Sequence, residues 1–343
     1  LLTVQRALEA DRLVQENVGQ KRRASPVIDP IGHSAVIQRL RQQAKRVAQH
    51  DTWVLISGEP GSGRETFARY LHAHSSRKDR PFIDVAVSAI SKGNAALELF
   101  GSERGGVTQY GRLEQASGGT LFLDEVADMD LEAQAQLVGA LDTGSFMRVG
   151  GSAPVNIDVR VIAATQRDLH KAVEAGEFRE DLFYQLNVVP LLVPPLRDHR
   201  EDIPELIDSV VDHLVGQEKL PYRRFSIAAQ NVLRNHSWPG NVRELNNLVQ
   251  RVLILGAGDE VGAADVEAAM GAAQVASGAG GVAGVSFDQT LRDARDAFEK
   301  AYLEYHFEKH GGNVSQMADE AGMERTHLYR KLRDRGIEIK DRR

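Results

Sequence analysis

The chain has 343 residues, 42% hydrophobic and 26% charged, a globular composition long enough for two or three domains. It contains no cysteine, which excludes a disulfide framework and a zinc–thiolate site, and no stretch approaches the ~20 apolar residues of a membrane span. The net charge of −6 argues against nonspecific coating of nucleic acid by the whole surface while permitting a local basic patch, and with no signal peptide visible the cytoplasm is the expected compartment.

The first stretch, LLTVQRALEADRLVQENVGQ, repeats apolar residues at Leu1, Val4 and Leu8 and then thins at Asp11 and Gln15. That spacing predicts a helix over residues 1–23 with a weak heptad seam, either a solvated connector or a dimerising linker. A charged, proline-bearing linker, KRRASPVIDP, follows from Lys21 to Pro30.

From Ile31 to about Pro195, strand-like runs alternate with helical patterns: WVLIS, PFIDVAV, GTLFLDEV, VRVIAAT and VVPLLVPPL. Such alternation predicts a parallel sheet flanked by helices, an α/β domain. Residues 200–273 read as helical only, a second, all-α subdomain. GAAQVASGAGGVAGVS, residues 271–286, is dominated by Gly, Ala, Ser and Val, has no capacity to form a core and reads as a flexible linker before a small helical domain at 287–343.

Between the run WVLIS and the helical pattern TFARYLH lies Gly58-Glu59-Pro60-Gly61-Ser62-Gly63-Arg64-Glu65, leading into Thr66. In that context glycines let the backbone turn tightly and aim amides at phosphate oxygens, and the helix N-terminus adds partial positive charge. The usual lysine is replaced by Arg64, which keeps the charge on a wider planar fork. A plain strand–turn–helix connection would use the same glycines. The run GGTLFLDE ends in Asp124-Glu125. In phosphoryl-transfer sites an Asp so placed holds Mg²⁺ and the adjacent Glu orients the attacking water; the pair could instead cap the next helix.

The last domain carries GGNVSQMADEAGMERTHLYRKLRDRGI. Val314, Met317, Ala318 and Ala321 form a buried stripe, Gly322 permits a turn, and Met323 packs between two helices. The second helix faces Leu328 and Leu332 inward. Its outer side suits the major groove: Arg325, Thr326, His327 and Arg330 for base edges, Tyr329, Lys331 and Arg333 for phosphates. A solvated charged face is the alternative. The preceding helix puts Phe298, Ala301, Tyr302 and Tyr305 on one side, for a dimer interface or for the core. The eleven histidines show no metal-ligand spacing, and no Ser/His/Asp nucleophile is indicated.

Residues 31–270 resemble the AAA+ domain of bacterial enhancer-binding proteins, the sigma-54-dependent activators. The resemblance runs through IGHSAVIQRL, GEPGSGRE, ELFGSERGG, GRLEQASGGTLFLDEVADM, FMRVGG, DVRVIAATQRDL, GEFREDLFYQLNVVPLLVPPLRDHREDIPELI and WPGNVRELNNLVQR. Residues 298–336 resemble their Fis-type helix-turn-helix, and the leading helix is similar to the linker that follows a receiver domain in NtrC- and NtrX-type response regulators. The resemblance implies an AAA+ α/β core at 24–197, a helical lid at 198–270 and a DNA-binding domain at 287–343. It implies ATP or ADP bound by the loop Gly58 to Glu65, with Ile31 and Gly32 at the adenine. Asp124 and Glu125 become the second Walker motif, Arg179 an arginine finger into the neighbouring subunit, and Arg243 the sensor of the terminal phosphates. Its implied partners are a palindromic double-stranded operator, RNA polymerase, a sensor kinase acting through a receiver domain, and further copies of the chain as a dimer or hexamer.

Five departures accompany it. The loop lysine is Arg64, the second finger position is Gln185, the glutamate-restraining asparagine is Ala86, and the sensor asparagine is Gln166. The loop that touches sigma-54 reads GGVTQY, Gly105 to Tyr110, without its phenylalanine and with a shortened insertion. The expected function is a DNA-binding transcriptional regulator that uses nucleotide weakly, as structure or signal, and acts without sigma-54. An active ATPase ring remodelling polymerase and a cyclic-dinucleotide-responsive regulator are the alternatives.

Overall fold

The computed structural model describes residues 29–277, apart from Lys92 and Gly106, and part of 299–334. The expected leading helix at 1–23 lies outside the described residues. The chain divides into two compact units, Leu1–Val266 and Glu267–Arg343.

The first unit contains strands β1 (Val54–Ser57), β2 (Phe82–Ala86), β3 (Gly101–Arg104), β4 (Val107–Tyr110), β5 (Thr120–Asp124), β6 (Ser145–Met147), β7 (Pro154–Asn156), β8 (Arg160–Thr165) and β9 (Val189–Leu192). Five of them form a parallel sheet in the order β2-β5-β8-β1-β9. Each expected strand run supplies one of these five.

Alternation along the strands explains why both faces are covered. Leu55, Val85, Leu121, Leu123, Val161 and Ala163 enter one buried cluster, with Leu137 and Leu182 from helices Leu131–Thr143 and Glu180–Leu186. Val54, Ile56, Phe122, Ile162 and Ala164 enter the other, with Leu40, Phe67 and Leu71 from helices Ala35–Ala48 and Arg64–Ala73. A parallel sheet buried on both faces needs such near-continuous apolar strands. The sheet order places β8 between β1 and β5, so the turns leaving β1, β5 and β8 share one edge, where α/β sheets bind ligands.

The lid follows as helices Ile203–Glu218, Ile227–Asn235 and Asn241–Leu255. It is not purely helical, as the sequence suggested: Arg224–Phe225 pairs in parallel with Glu260–Val261. The fully buried Val261 and nearly buried Phe225 make this small ladder part of the lid core. Helix Ala263–Ser277 also runs past residue 271, where the sequence reading begins a linker. Its alanines favour helix strongly enough to outweigh Gly271. Residues 278–286 of that expected linker are outside the described residues.

In the second unit, Leu303, Val314, Met317, Ala318, Leu328 and Leu332 form a buried cluster, with Met323 packed against it. The Met323 amide donates to the Ala318 carbonyl at 2.9 Å, closing the turn before helix Arg325–Asp334. No helix among the described residues is long and apolar enough to cross a membrane.

Candidate functional site

The segment after β1 turns through Gly61 at φ +73° and Gly63 at φ +101° before helix Arg64–Ala73 begins. Both φ values lie where glycine is favoured. A side chain at Gly61 would also put its Cβ 2.4 Å from the Gly240 carbonyl oxygen. The loop therefore requires glycine both for its turn and for its approach to the lid. The Ser62 hydroxyl is buried there without a hydrogen-bond partner among the described residues.

A cavity of about 260 Å³ adjoins the loop, with Ser62, Gly63 and Thr66 on its wall. Ile31, Ile37, Leu206 and Val210 give it apolar sides, while His213, Asn246 and Gln250 supply polar groups from the lid. A pocket with mostly apolar walls and a few polar groups suits a flat heterocycle joined to the phosphates of the loop. Segment 31–34 is pinned to the lid by the fully buried Asp202, which accepts from the His33 and Ser34 amides at 2.8 and 2.7 Å and from the Ser34 hydroxyl at 2.6 Å. Burial pushes the Asp202 carboxyl up, but these bonds outweigh it and hold the group below its ordinary pKa. Gly32, at φ +138°, has no room for a Cβ beside Asp202.

Folding also gathers His33, Asp202 and Glu205 with their ligand atoms within 4.8 Å of one another, a grouping that sequence spacing could not show. Asp202 is already engaged by the bonds just described.

At the end of β5, Glu125 adopts the left-handed conformation, φ 54° and ψ 52°, sparsely populated for a side-chain-bearing residue. Its carboxylate is held on both oxygens: one pairs with the Arg64 guanidinium, and the other accepts the Gln166 amide at 3.1 Å. Arg64 also donates to the Gly58 carbonyl at 3.2 Å and lies 3.5 Å from Asp124. Burial, assisted by Glu125, pushes the Asp124 carboxyl up against the pull of Arg64. Ala86 stands in register with Asp124 on β2, so Gln166 and Arg64 supply the polar restraint on Glu125.

Glu59 points toward the lid. It accepts from Arg197 at 2.8 Å and Asn241 at 3.1 Å, and these bonds, Arg197 first, lower its pKa to about 2. Glu65 pairs with Arg69 one helical turn on. Arg243 is exposed, and its amide donates to the Gly61 carbonyl at 3.3 Å. Arg179 is exposed and paired within its own chain to Asp181 at 2.6 Å. Gln185 donates to Asp142. Within GGVTQY, strand β4 (Val107–Tyr110) pairs antiparallel with β3 (Gly101–Arg104), and Glu103 and Gly101 exchange hydrogen bonds with Val149 at 3.0 Å. Arg148 lies over the Tyr110 ring at 5.5 Å and pairs with Glu114 at 2.6 Å.

The family model of the sigma-54 interaction domain matches residues 30–192, that of the AAA+ ATPase lid domain 197–280, and that of the Fis-family bacterial regulatory proteins 294–334. The nitrogen assimilation regulatory protein NtrX of Azorhizobium caulinodans is 42% identical over 98% of this chain and 75% of its own length. The chain belongs to the NtrX/NtrC family. The transcriptional regulator NtrC of a Bradyrhizobium strain is 38% identical over 90% of this chain and 70% of its own. The crystal structure of Brucella abortus NtrX with ADP aligns at TM-score 0.73 and 39% identity, over 98% of this chain and 75% of that one. The same protein with ATP aligns at TM-score 0.72. As a member of the NtrX/NtrC family with a Fis-type helix-turn-helix, the chain is a DNA-binding transcriptional regulator.

In that second unit Arg325 and Arg330 are exposed on helix Arg325–Asp334. Lys331 lies 2.9 Å from Glu299 and is less exposed. The side chains of Thr326, His327, Tyr329 and Arg333 lie outside the described residues.

Proposed function

We propose that this regulator binds ATP and ADP between its core and lid, hydrolyses ATP slowly or not at all, and regulates transcription without engaging sigma-54. The observation that carries the reading is the Arg64–Glu125 ion pair. The position that normally grips the terminal phosphate is tied to the carboxylate that would orient the attacking water. The surrounding cradle fits a nucleotide: left-handed glycines, the unpartnered Ser62 hydroxyl and the adjoining cavity. The complexes of Brucella NtrX with ADP and ATP support the same assignment. Asp124 would hold Mg²⁺, with Arg64 nearby contributing part of the required positive charge. Ile31 and Gly32 would meet the base, and Arg243 the terminal phosphates.

Sigma-54 independence rests on GGVTQY, which has no phenylalanine; its strand β4 pairs with β3, which bonds to Val149, and its Tyr110 ring lies under Arg148. The match to the sigma-54 interaction domain extends over this segment, and fits a fold that outlasted one of its contacts. Arg325, Thr326, His327 and Arg330 would read base edges, with Tyr329, Lys331 and Arg333 at phosphates, and a dimer would span two half-sites. Polymerase and a cognate kinase complete the proposed partners, in the cytoplasm.

The retention of Asp124, Glu125, Arg179 and Arg243 favours a second reading, an ATPase assembled as a ring. ATP hydrolysis measured across protein concentration, with and without operator DNA, decides between them. A rate per subunit that rises with concentration and vanishes in Glu125→Ala supports the ring. A flat background under DNA-binding conditions supports the sensor. Competition of a fluorescent ATP analogue by ATP but not by cyclic dinucleotides removes the third alternative.

A further inference from the structure

The phosphate loop is joined to the lid by one polar clamp that the catalytic groups do not use. Asn241, the first residue of helix Asn241–Leu255, is fully buried. Its side-chain amide donates to Glu59 at 3.1 Å and to the Pro60 carbonyl at 3.0 Å, and its oxygen accepts the Leu196 amide at 2.8 Å. Arg197, beside Leu196 at the junction of core and lid, grips Glu59 with both terminal guanidinium nitrogens, Nη1 and Nη2. Thus one carboxylate of the loop holds both the junction and the start of a lid helix.

The geometry around Asn241 is held against local preference. Trp238 and Asn241 both sit at φ 52°, two side-chain-bearing residues in the left-handed region within four positions. Such backbone persists only where surrounding contacts over-determine it. Here Trp238 is buried and donates from its indole to the Leu233 carbonyl at 2.8 Å, while Asn241 is fixed by the loop and the junction. Backbone contact reinforces the clamp, because the Arg243 amide donates to Gly61 and the Gly240 carbonyl crowds Gly61. A displacement of the loop backbone is thereby passed to the helix that carries Arg243, Asn246 and Gln250.

We propose that the Glu59–Arg197–Asn241 clamp reports occupancy of the phosphate loop to the lid, so that Glu59 is a positioning residue coupling bound nucleotide to lid orientation. This rests on the nucleotide-binding reading above. Both oxygens of the Glu59 carboxylate are engaged by Arg197, and one also by Asn241. Packing and the remaining hydrogen bonds would keep the lid folded without the clamp; what would be lost is its response.

The test is amide hydrogen exchange on the full chain, empty and with ADP or a slowly hydrolysed ATP analogue, in the parent, Arg197→Ala and Arg197→Lys proteins. Arg197 is partly exposed and lies outside the phosphate loop, so its truncation should not unfold the domain. In the parent, nucleotide should slow exchange both in loop 58–66 and in lid residues 241–255. In Arg197→Ala the loop should still be protected, while the nucleotide-dependent protection of 241–255 falls by roughly three- to tenfold. Arg197→Lys should recover part of it, because charge remains but the two-point grip does not. Lid protection unchanged in Arg197→Ala overturns the clamp. Absence of nucleotide protection at the parent loop overturns the nucleotide reading itself, and the clamp with it.

Discussion

Arg64 and Glu125, 61 residues apart in sequence, meet as a buried ion pair across the mouth of the phosphate loop. The pair satisfies two charges that would otherwise be costly to bury. It also occupies a carboxylate oxygen that a water molecule would need. With the Gln166 amide on the other oxygen, both Glu125 oxygens are engaged, which supports the proposed reading of a restrained group rather than a poised base. Substitution Arg64→Lys should therefore change ATP turnover little, within about tenfold, or ~1.4 kcal/mol of barrier. Gln185, Ala86 and Gln166 would still depart from the hydrolytic pattern. Phosphate release under saturating ATP checks this; recovery to a brisk rate would identify Arg64 as the sole defect.

Arg179 is predicted to act between subunits or not at all. Its partner in the single chain is Asp181, both residues are exposed, and such pairs contribute little to stability. Arg179→Ala should leave the thermal midpoint of the protein unchanged. Any hydrolysis that rises with protein concentration should disappear in the variant, since an arginine supplied in trans is worth ~10³–10⁵ in rate. A rate that keeps rising in Arg179→Ala would remove this residue from the site.

Acid sensitivity should come in part from His72. It is buried against Phe82 and bonded to the Thr120 hydroxyl at 2.9 Å. Burial, reinforced by the Arg160 charge, lowers its pKa from 6.5 to about 4. Because the folded value is the lower one, the unfolded chain takes up this proton first as pH falls. The stabilisation is complete above about pH 6.5 and is lost as pH drops toward 4, up to on the order of 3 kcal/mol. Urea midpoints measured across this window should fall with pH in the parent. His72→Leu should be less stable at pH 7, through the unpaired Thr120 hydroxyl, yet show a shallower slope. Equal slopes would place the sensitivity elsewhere.

Local chemistry made part of this legible. The strand runs were readable because a sheet covered on both faces needs continuous apolar residues, and the loop because glycines with positive φ have few substitutes. Strand order was not readable, since the pairing of β8 between β1 and β5 is decided by packing. The lid contacts were hidden for a related reason. Glu59 meets Arg197 across 138 residues and His33 meets Asp202 across 169, and each alone looks like a surface charge. Helix Ala263–Ser277 was obscured by its composition, because Ala, Gly and Ser describe a linker until the alanines are weighed for helix propensity. The carboxylate pair is legible as a motif, but its restraint by the Gln166 amide is a backbone contact that no side-chain pattern encodes.

The recognition helix gives a prediction that separates two neighbours. Arg330 is exposed, and in the proposed orientation its fork faces base edges. Arg330→Ala should weaken operator binding by about 1–3 kcal/mol and relax discrimination at one base position. Lys331, one residue on, already faces Glu299 at 2.9 Å. Part of its charge is spent within the domain, so its contribution to phosphate binding is reduced. Lys331→Ala should lower affinity evenly across sequences and change the slope of log affinity against log salt by less than the ~1 of an unpaired phosphate contact. Titrations of parent and variants against operator and scrambled DNA at several salt concentrations measure both effects. A specificity change from Lys331→Ala with none from Arg330→Ala would mean that the helix enters the groove on a different face.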